Sequence, residues 1–124
     1  MPVRENAANQ HMLIYKICHE SEWAQAVRDN LYAGSAKDRE DGFIHLSKAG
    51  QVRQTLERYY EGDNDLVLVA VDADRVAYSL RFEPSSGGAL FPHLYGTLPL
   101  ASVKWVKPIG RNPDGSFRLP EECA

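Results

Sequence analysis

Residues 66–71 read Leu-Val-Leu-Val-Ala-Val, and this run constrains the fold more than any other stretch. Side chains alternate faces along a strand, so a strand that is apolar on both faces needs cover on both. The run therefore predicts a central strand, the most buried of the chain. A length of 124 residues suits one domain with a real core, and 44% hydrophobic with 25% charged residues is ordinary globular composition.

Around that strand the elements fall in the order β-α-β-α-β-β-β-β. Residues 13–18 are rich in β-branched and aromatic side chains and predict a first strand. Ser21 reads as the N-cap of a helix reaching Asn30, with Trp23 directed to the core. Residues 32–40 read as a polar connection. A second helix follows Ser47, with Val52, Leu56 and Tyr59 or Tyr60 at helical spacing. Residues 78–83 alternate as a strand with Leu80 and Phe82 inward, and residues 103–109 as a last long strand. Two helices in the N-terminal half and about six strands define an α+β fold rather than a doubly wound parallel sheet. Residues 12–119 form the predicted domain, residues 1–11 a disordered extension and residues 120–124 a tail. Met12 opens the first periodic run and is an alternative start.

Two segments carry candidate chemistry. In the first, Asp41-Gly42 marks a turn and Phe43-Ile44-His45-Leu46-Ser47 reads as a strand. Ile44 and Leu46 face the core, which leaves Phe43, His45 and Ser47 together on the other face. Ser47 can also cap the helix that follows. A lone His at a strand end is most often a hydrogen-bonded structural residue, but the second segment bears on that choice. Residues 89–99, Ala-Leu-Phe-Pro-His-Leu-Tyr-Gly-Thr-Leu-Pro, put His93 and Tyr95 on one strand face behind the flexible Pro84-Ser85-Ser86-Gly87-Gly88 loop. Leu90, Phe91 and Leu94 are expected to be buried. If the two strands are neighbours, His45 and His93 converge on one cleft with Ser47 and Tyr95 beside them.

Charge and cysteine usage exclude several classes. Net charge is −3, and the central segment mixes Lys37, Arg39, Lys48, Arg53 and Arg58 with Asp38, Glu40, Asp41 and Glu57, which argues against nucleic acid as a partner. No apolar run approaches the roughly 18 residues of a membrane helix, and residues 1–11 contain no signal-peptide core. The 2 cysteines, Cys18 and Cys123, form no motif and read as free thiols of a cytoplasmic protein. The 4 histidines, at positions 11, 19, 45 and 93, lack metal-binding spacing. There is no Gly-x-Gly-x-x-Gly after a strand and no P-loop.

Three stretches together resemble the bacterial domain-of-unknown-function family 952: Leu13-Ile14-Tyr15-Lys16-Ile17 with Trp23, residues 41–47, and Gly87-Gly88-Ala89-Leu90-Phe91-Pro92-His93-Leu94-Tyr95-Gly96. The likeness runs from about Met12 to Ile109. It implies an ADP-ribosyltransferase-like fold, two small and mostly antiparallel sheets around an NAD cleft. His45-Leu46-Ser47 are also similar to the end of the His-x-His-Leu-Ser region of RNA 2′-phosphotransferases. Phe43 stands where that motif has its first His, no Arg set for a 2′-phosphate is present, and the transferase Glu has no clear counterpart.

The resemblance implies NAD as a candidate substrate, with no metal. His45 would bond a ribose hydroxyl, Ser47 would hold the amide or ribose, and Tyr60 or Tyr95 would stack on the ring. His93 would orient the ligand or act as general base, and Lys16 joins the ligand-binding set. The alternatives are a nucleotide or small-metabolite binding module without chemistry, and a hydrolase using His45 and His93 as an acid/base pair.

Overall fold

The computed structural model describes residues 12–85 and 87–124; the N-terminal extension and Ser86 lie outside the described residues. Strand β1 (Leu13–His19) leads into helix α1 (Glu20–Asp29), β2 (Leu31–Tyr32), helix α2 (Ala36–Asp41) and β3 (Ile44–His45). A 3-10 turn at Ala49–Gln51 then opens helix α3 (Val52–Tyr59). After α3 the chain is built mostly of strands: β4 (Leu66–Asp72), β5 (Leu80–Pro84), β6 (Leu90–Leu94), β7 (Leu98–Pro99), β8 (Val103–Arg111) and β9 (Phe117–Arg118). The fold is α+β.

The apolar run behaves as its pattern requires. Strand β4 lies inside a four-stranded sheet of order β1-β4-β8-β9, and all of its residues are buried. Val67, Val69 and Val71 join Ile14, Cys18, Ile44, Leu46 and Leu94 in one core layer. Leu66, Leu68 and Ala70 join Tyr15, Ile17, Val52, Leu56 and Phe117 in a second layer across the sheet. Helix α3 covers the second face with Val52 and Leu56, both fully buried. Period-2 alternation in β4 and helical spacing in α3 are thus satisfied by the same contact.

A three-stranded sheet of order β3-β6-β5 and a two-stranded ribbon of β2 and β7 complete the fold, all paired antiparallel. The resemblance implied two sheets; β2 and β7 make a third because Leu31 and Tyr32 pair with Pro99 and Leu98. At Tyr15 and Ser47 the large and the three-stranded sheets meet. The two residues exchange both backbone hydrogen bonds, at 2.8 and 2.9 Å.

Several expectations need correction. Helix α1 begins at Glu20, not after Ser21, because β1 stays paired through His19 and Glu22 accepts the His19 backbone N–H at 2.9 Å. The polar segment 32–40 is no mere connection but contains most of α2, making three α-helices instead of two. Phe82 and Leu90 are exposed, because the outer part of the β5–β6 hairpin runs past the core; on the same face Pro92 and Leu94 of β6 are buried, and Leu80 packs partly buried against the core. Ser47 does not cap the helix; its hydroxyl is 3.2 Å from that of Thr55. The C-terminal residues fold back, and Cys123 is buried in the second core layer. Among the described residues, no helix is long and apolar enough to cross a membrane.

Candidate functional site

Helix α2 builds the floor of the site, although it is only six residues long. Its start is a reciprocal cap. Ser35 Oγ accepts the Asp38 backbone N–H at 3.1 Å, and Asp38 Oδ2 accepts the Ser35 N–H at 2.9 Å. Its end is Gly42, whose φ of 88° suits a left-handed cap. The sequence pattern Ser-x-x-Asp ahead of Asp-Gly is the signal that could have revealed this helix.

The cap residue Asp38 then reaches inward. Oδ2 also receives Lys16 Nζ at 2.8 Å, and Oδ1 accepts from the His45 backbone N–H at 3.1 Å and from His45 Nδ1 at 2.6 Å. Four donors therefore converge on one carboxylate, which is all that its lone pairs accommodate. Burial alone would raise the Asp38 carboxyl, but hydrogen bonds from His45 and Lys16, with the Lys16 charge, hold it well below the usual carboxylate range. Asp38 and Lys16 are 2% and 3% exposed, so each neutralises a charge that would otherwise be stranded in the core. Lys16 Nζ also donates to the His45 carbonyl at 3.1 Å. One ion pair thus ties β1, α2 and β3 together.

The histidines converge. In the β3–β6 ladder His45 is the direct partner of His93, and their rings lie 5.9 Å apart. Phe43 fills the space in front of them, stacked on His93 at 4.0 Å and tilted against His45 at 4.6 Å. His45 is flanked on both sides: beyond Asp38, its Nε2 lies 2.9 Å from Asp41 Oδ2 at the end of α2. His93 is buried, and its Nδ1 lies 2.8 Å from Glu83 Oε1. The same oxygen accepts the Tyr95 hydroxyl at 2.6 Å. These bonds, Tyr95 first and His93 second, lower the Glu83 carboxyl, and the bond to Glu83 raises the Tyr95 hydroxyl.

A cleft of about 610 Å³ opens between the edge of β1 and the β3–β6 pair. Lys16, His45, Ser47, Tyr60 and His93 all line it. Tyr60 also donates from its hydroxyl to the Ile17 carbonyl at 3.4 Å, and burial raises that hydroxyl's pKa. Tyr95 stands outside the lining, half-exposed behind His93, with its ring 5.3 Å from Phe43. Sequence reasoning missed Asp38, Asp41 and Glu83. Glu83 comes close because Arg81 pairs with His93 across β5 and β6, which makes Glu83 its diagonal neighbour on the same face.

The cleft walls are aromatic, with Tyr15, Phe43, Tyr59, Tyr60 and Phe91, and its lining includes Lys37 and Arg58. Lys37 is largely exposed, with Asp41 3.6 Å away. Flat apolar faces beside cations suit a planar ring carrying an anionic group. Among the described residues, no group of three or more His, Cys, Asp or Glu is placed to hold a metal ion. Cys18 is buried beneath the site, and that burial pushes its thiol up to about 12, which suits an inert core residue.

The fold and site define a small α+β domain with an aromatic, histidine-bearing cleft at a sheet edge. Residues 17–106 match the family of proteins of unknown function DUF952, and the chain belongs to that family. It is similar to protein CC0527 from Caulobacter crescentus. The X-ray crystal structure of that protein has a TM-score of 0.81 at 40% identity, over 86% of this chain and 93% of that one. Its solution NMR structure gives 0.75 at 41% identity, over 84% and 90%. No curated protein matches the chain.

Proposed function

We propose that the cleft binds a nucleotide of the NAD type and that the domain acts on its N-glycosidic bond, in an ADP-ribosyltransferase-like arrangement. The observation that carries this reading is the union, in one cleft of about 610 Å³, of five aromatic rings, two histidines and three cationic side chains, of which Lys37 and Arg58 are not held by the buried Asp38. Pockets of roughly 300–1,000 Å³ take ligands of this class. Tyr59 and Tyr60 offer faces for a ring, Arg58 and Lys37 offer charge to the diphosphate, and His93 and Ser47 offer polar atoms to ribose. His45 is the buttress of this set, since both of its ring nitrogens face carboxylates.

A second reading, binding without cleavage, is favoured by one feature. The acidic residues lining the cleft, Asp38 and Asp41, both face His45. Neither is spare to stabilise the positive charge that develops as nicotinamide leaves.

Calorimetric titration with NAD and ADP-ribose tests the binding, and release of free nicotinamide separates the two readings. Ligand at about 100 times its dissociation constant adds roughly 2.7 kcal/mol of stability, a visible thermal shift for a small domain. Arg58→Glu is expected to weaken binding at low salt more than at high salt, because screening already reduces the attraction at high salt. Failure of both nucleotides to bind would overturn the proposal, and release of nitrophenol from simple esters without NAD would point instead to a histidine-based hydrolase.

A further inference from the structure

We propose that Glu83 is the positioning residue of the cleft, holding His93 in the Nδ1–H tautomer so that Nε2 presents a lone pair to a hydroxyl group of the ligand.

The two histidines are not equivalent. His45 has a carboxylate oxygen at each ring nitrogen, Asp38 at 2.6 Å and Asp41 at 2.9 Å, so it has no ring atom left to offer. His93 has a carboxylate on one side only, Glu83 at Nδ1. An ionised carboxylate can only accept, so Nδ1 must carry the proton, and the neutral ring then has its lone pair on Nε2. Among the described residues no protein group meets Nε2, nor is it among the fully buried atoms left without a partner. Nε2 is thus not fully enclosed, and His93 lines the cleft.

The ring is held in place from three directions. Phe43 stacks on its face at 4.0 Å with an interplanar angle of 24°, β6 carries its backbone between β3 and β5, and Glu83 fixes its rotation. Tyr95 donates to the same Glu83 oxygen and so fixes the carboxylate in turn. A carboxylate that orients a histidine, itself oriented by a further donor, is how proton acceptors are commonly prepared. The group that suits Nε2 is an O–H donor: a sugar hydroxyl or a ligand-bound water. Naming a ribose hydroxyl rests on the nucleotide reading above, whereas the tautomer does not.

Long-range proton–nitrogen correlation spectra of the ¹⁵N-histidine-labelled full chain test both parts. They are recorded above the His93 titration midpoint found in the same spectra. The expected result is a protonated-type Nδ1 and an unprotonated-type Nε2 for His93. Glu83→Ala should mix the tautomers, whereas Glu83→Gln, which keeps an acceptor oxygen, should preserve the wild-type pattern. Addition of ADP-ribose should shift Nε2 of His93 and leave its Nδ1 nearly unmoved. An Nε2–H tautomer in the wild-type protein, or a pattern indifferent to Glu83→Ala, overturns the proposal. If ADP-ribose binds by calorimetry yet Nε2 does not move, the hydroxyl contact falls. If ADP-ribose does not bind at all, the nucleotide reading falls, and the tautomer result still decides the role of Glu83.

Discussion

His45 and His93 face each other across the β3–β6 ladder with their rings 5.9 Å apart, and yet they have opposite surroundings. One ring lies between two aspartates; the other has a glutamate behind it and an open nitrogen in front. Equivalent residues in a strand pair thus acquire different work from what the neighbouring elements bring to them.

The Lys16–Asp38 pair should be the most sensitive polar contact of the fold. Asp38→Asn leaves the Lys16 ammonium buried beside a neutral group, and loss of one partner from a buried pair costs about 3–5 kcal/mol. Lys16→Met added to Asp38→Asn should recover part of that loss, since no charge is then stranded. Urea denaturation of the two single variants and the double variant measures the coupling. Strictly additive losses would show that the two groups are independent.

Stability should fall on acidification in a window set by Asp38. Its carboxyl is lowered in the folded protein relative to the ordinary value of 3.8, so the folded state favours the ionised form. The contribution is fully present above that value and is lost as the pH falls toward the folded one. Urea midpoints measured from pH 5 down to pH 2.5 should drop more steeply for the wild type than for Asp38→Asn. Parallel curves would remove Asp38 as the cause.

Gly34→Ala should destabilise the site more than Gly42→Ala. Both glycines have positive φ, 102° and 88°, so both substitutions introduce backbone strain of about 1–3 kcal/mol. A Cβ on Gly34 would also stand 2.9 Å from the Asp38 Cβ, whereas one on Gly42 meets nothing within 4 Å. Thermal melts of the two variants give the comparison, and equal losses would mean that the Asp38 side chain gives way freely.

Deletion of residues 121–124 should lower stability by about 1–2 kcal/mol, because it removes a buried side chain, Cys123, from beside Tyr15 in the second core layer. An unchanged melting temperature would mean that this turn adds nothing to the second core layer.

Much of the architecture is legible in the residues themselves. Alternation predicts that β4 is buried on both faces and that Ile44 and Leu46 point inward, helical spacing predicts a helix carrying Val52 and Leu56, and all of this is observed. These features are local: periodicity and apolar content decide them, and burial of apolar surface rewards them wherever the rest of the chain lies. The His45–His93 meeting is halfway between. Their strand faces follow from spacing, but their pairing depends on β3 and β6 becoming neighbours, and 47 intervening residues say nothing about that directly.

Tertiary structure alone decided the partners. Asp38, Asp41 and Glu83 look like surface acids in sequence, within a polar segment and on an edge strand. Asp38 acquires its role because a carboxylate in water has no use for a particular neighbour, whereas one enclosed by the fold must find donors for its lone pairs; Asp41 and Glu83, still partly open to solvent, acquire theirs because the fold sets a histidine ring beside each. Asp38 finds four such donors on three different elements. Sequence therefore determined which faces are apolar and where the histidines stand. The fold determined which histidine is locked and which is left open, because that depends on long-range polar contacts that no local pattern encodes.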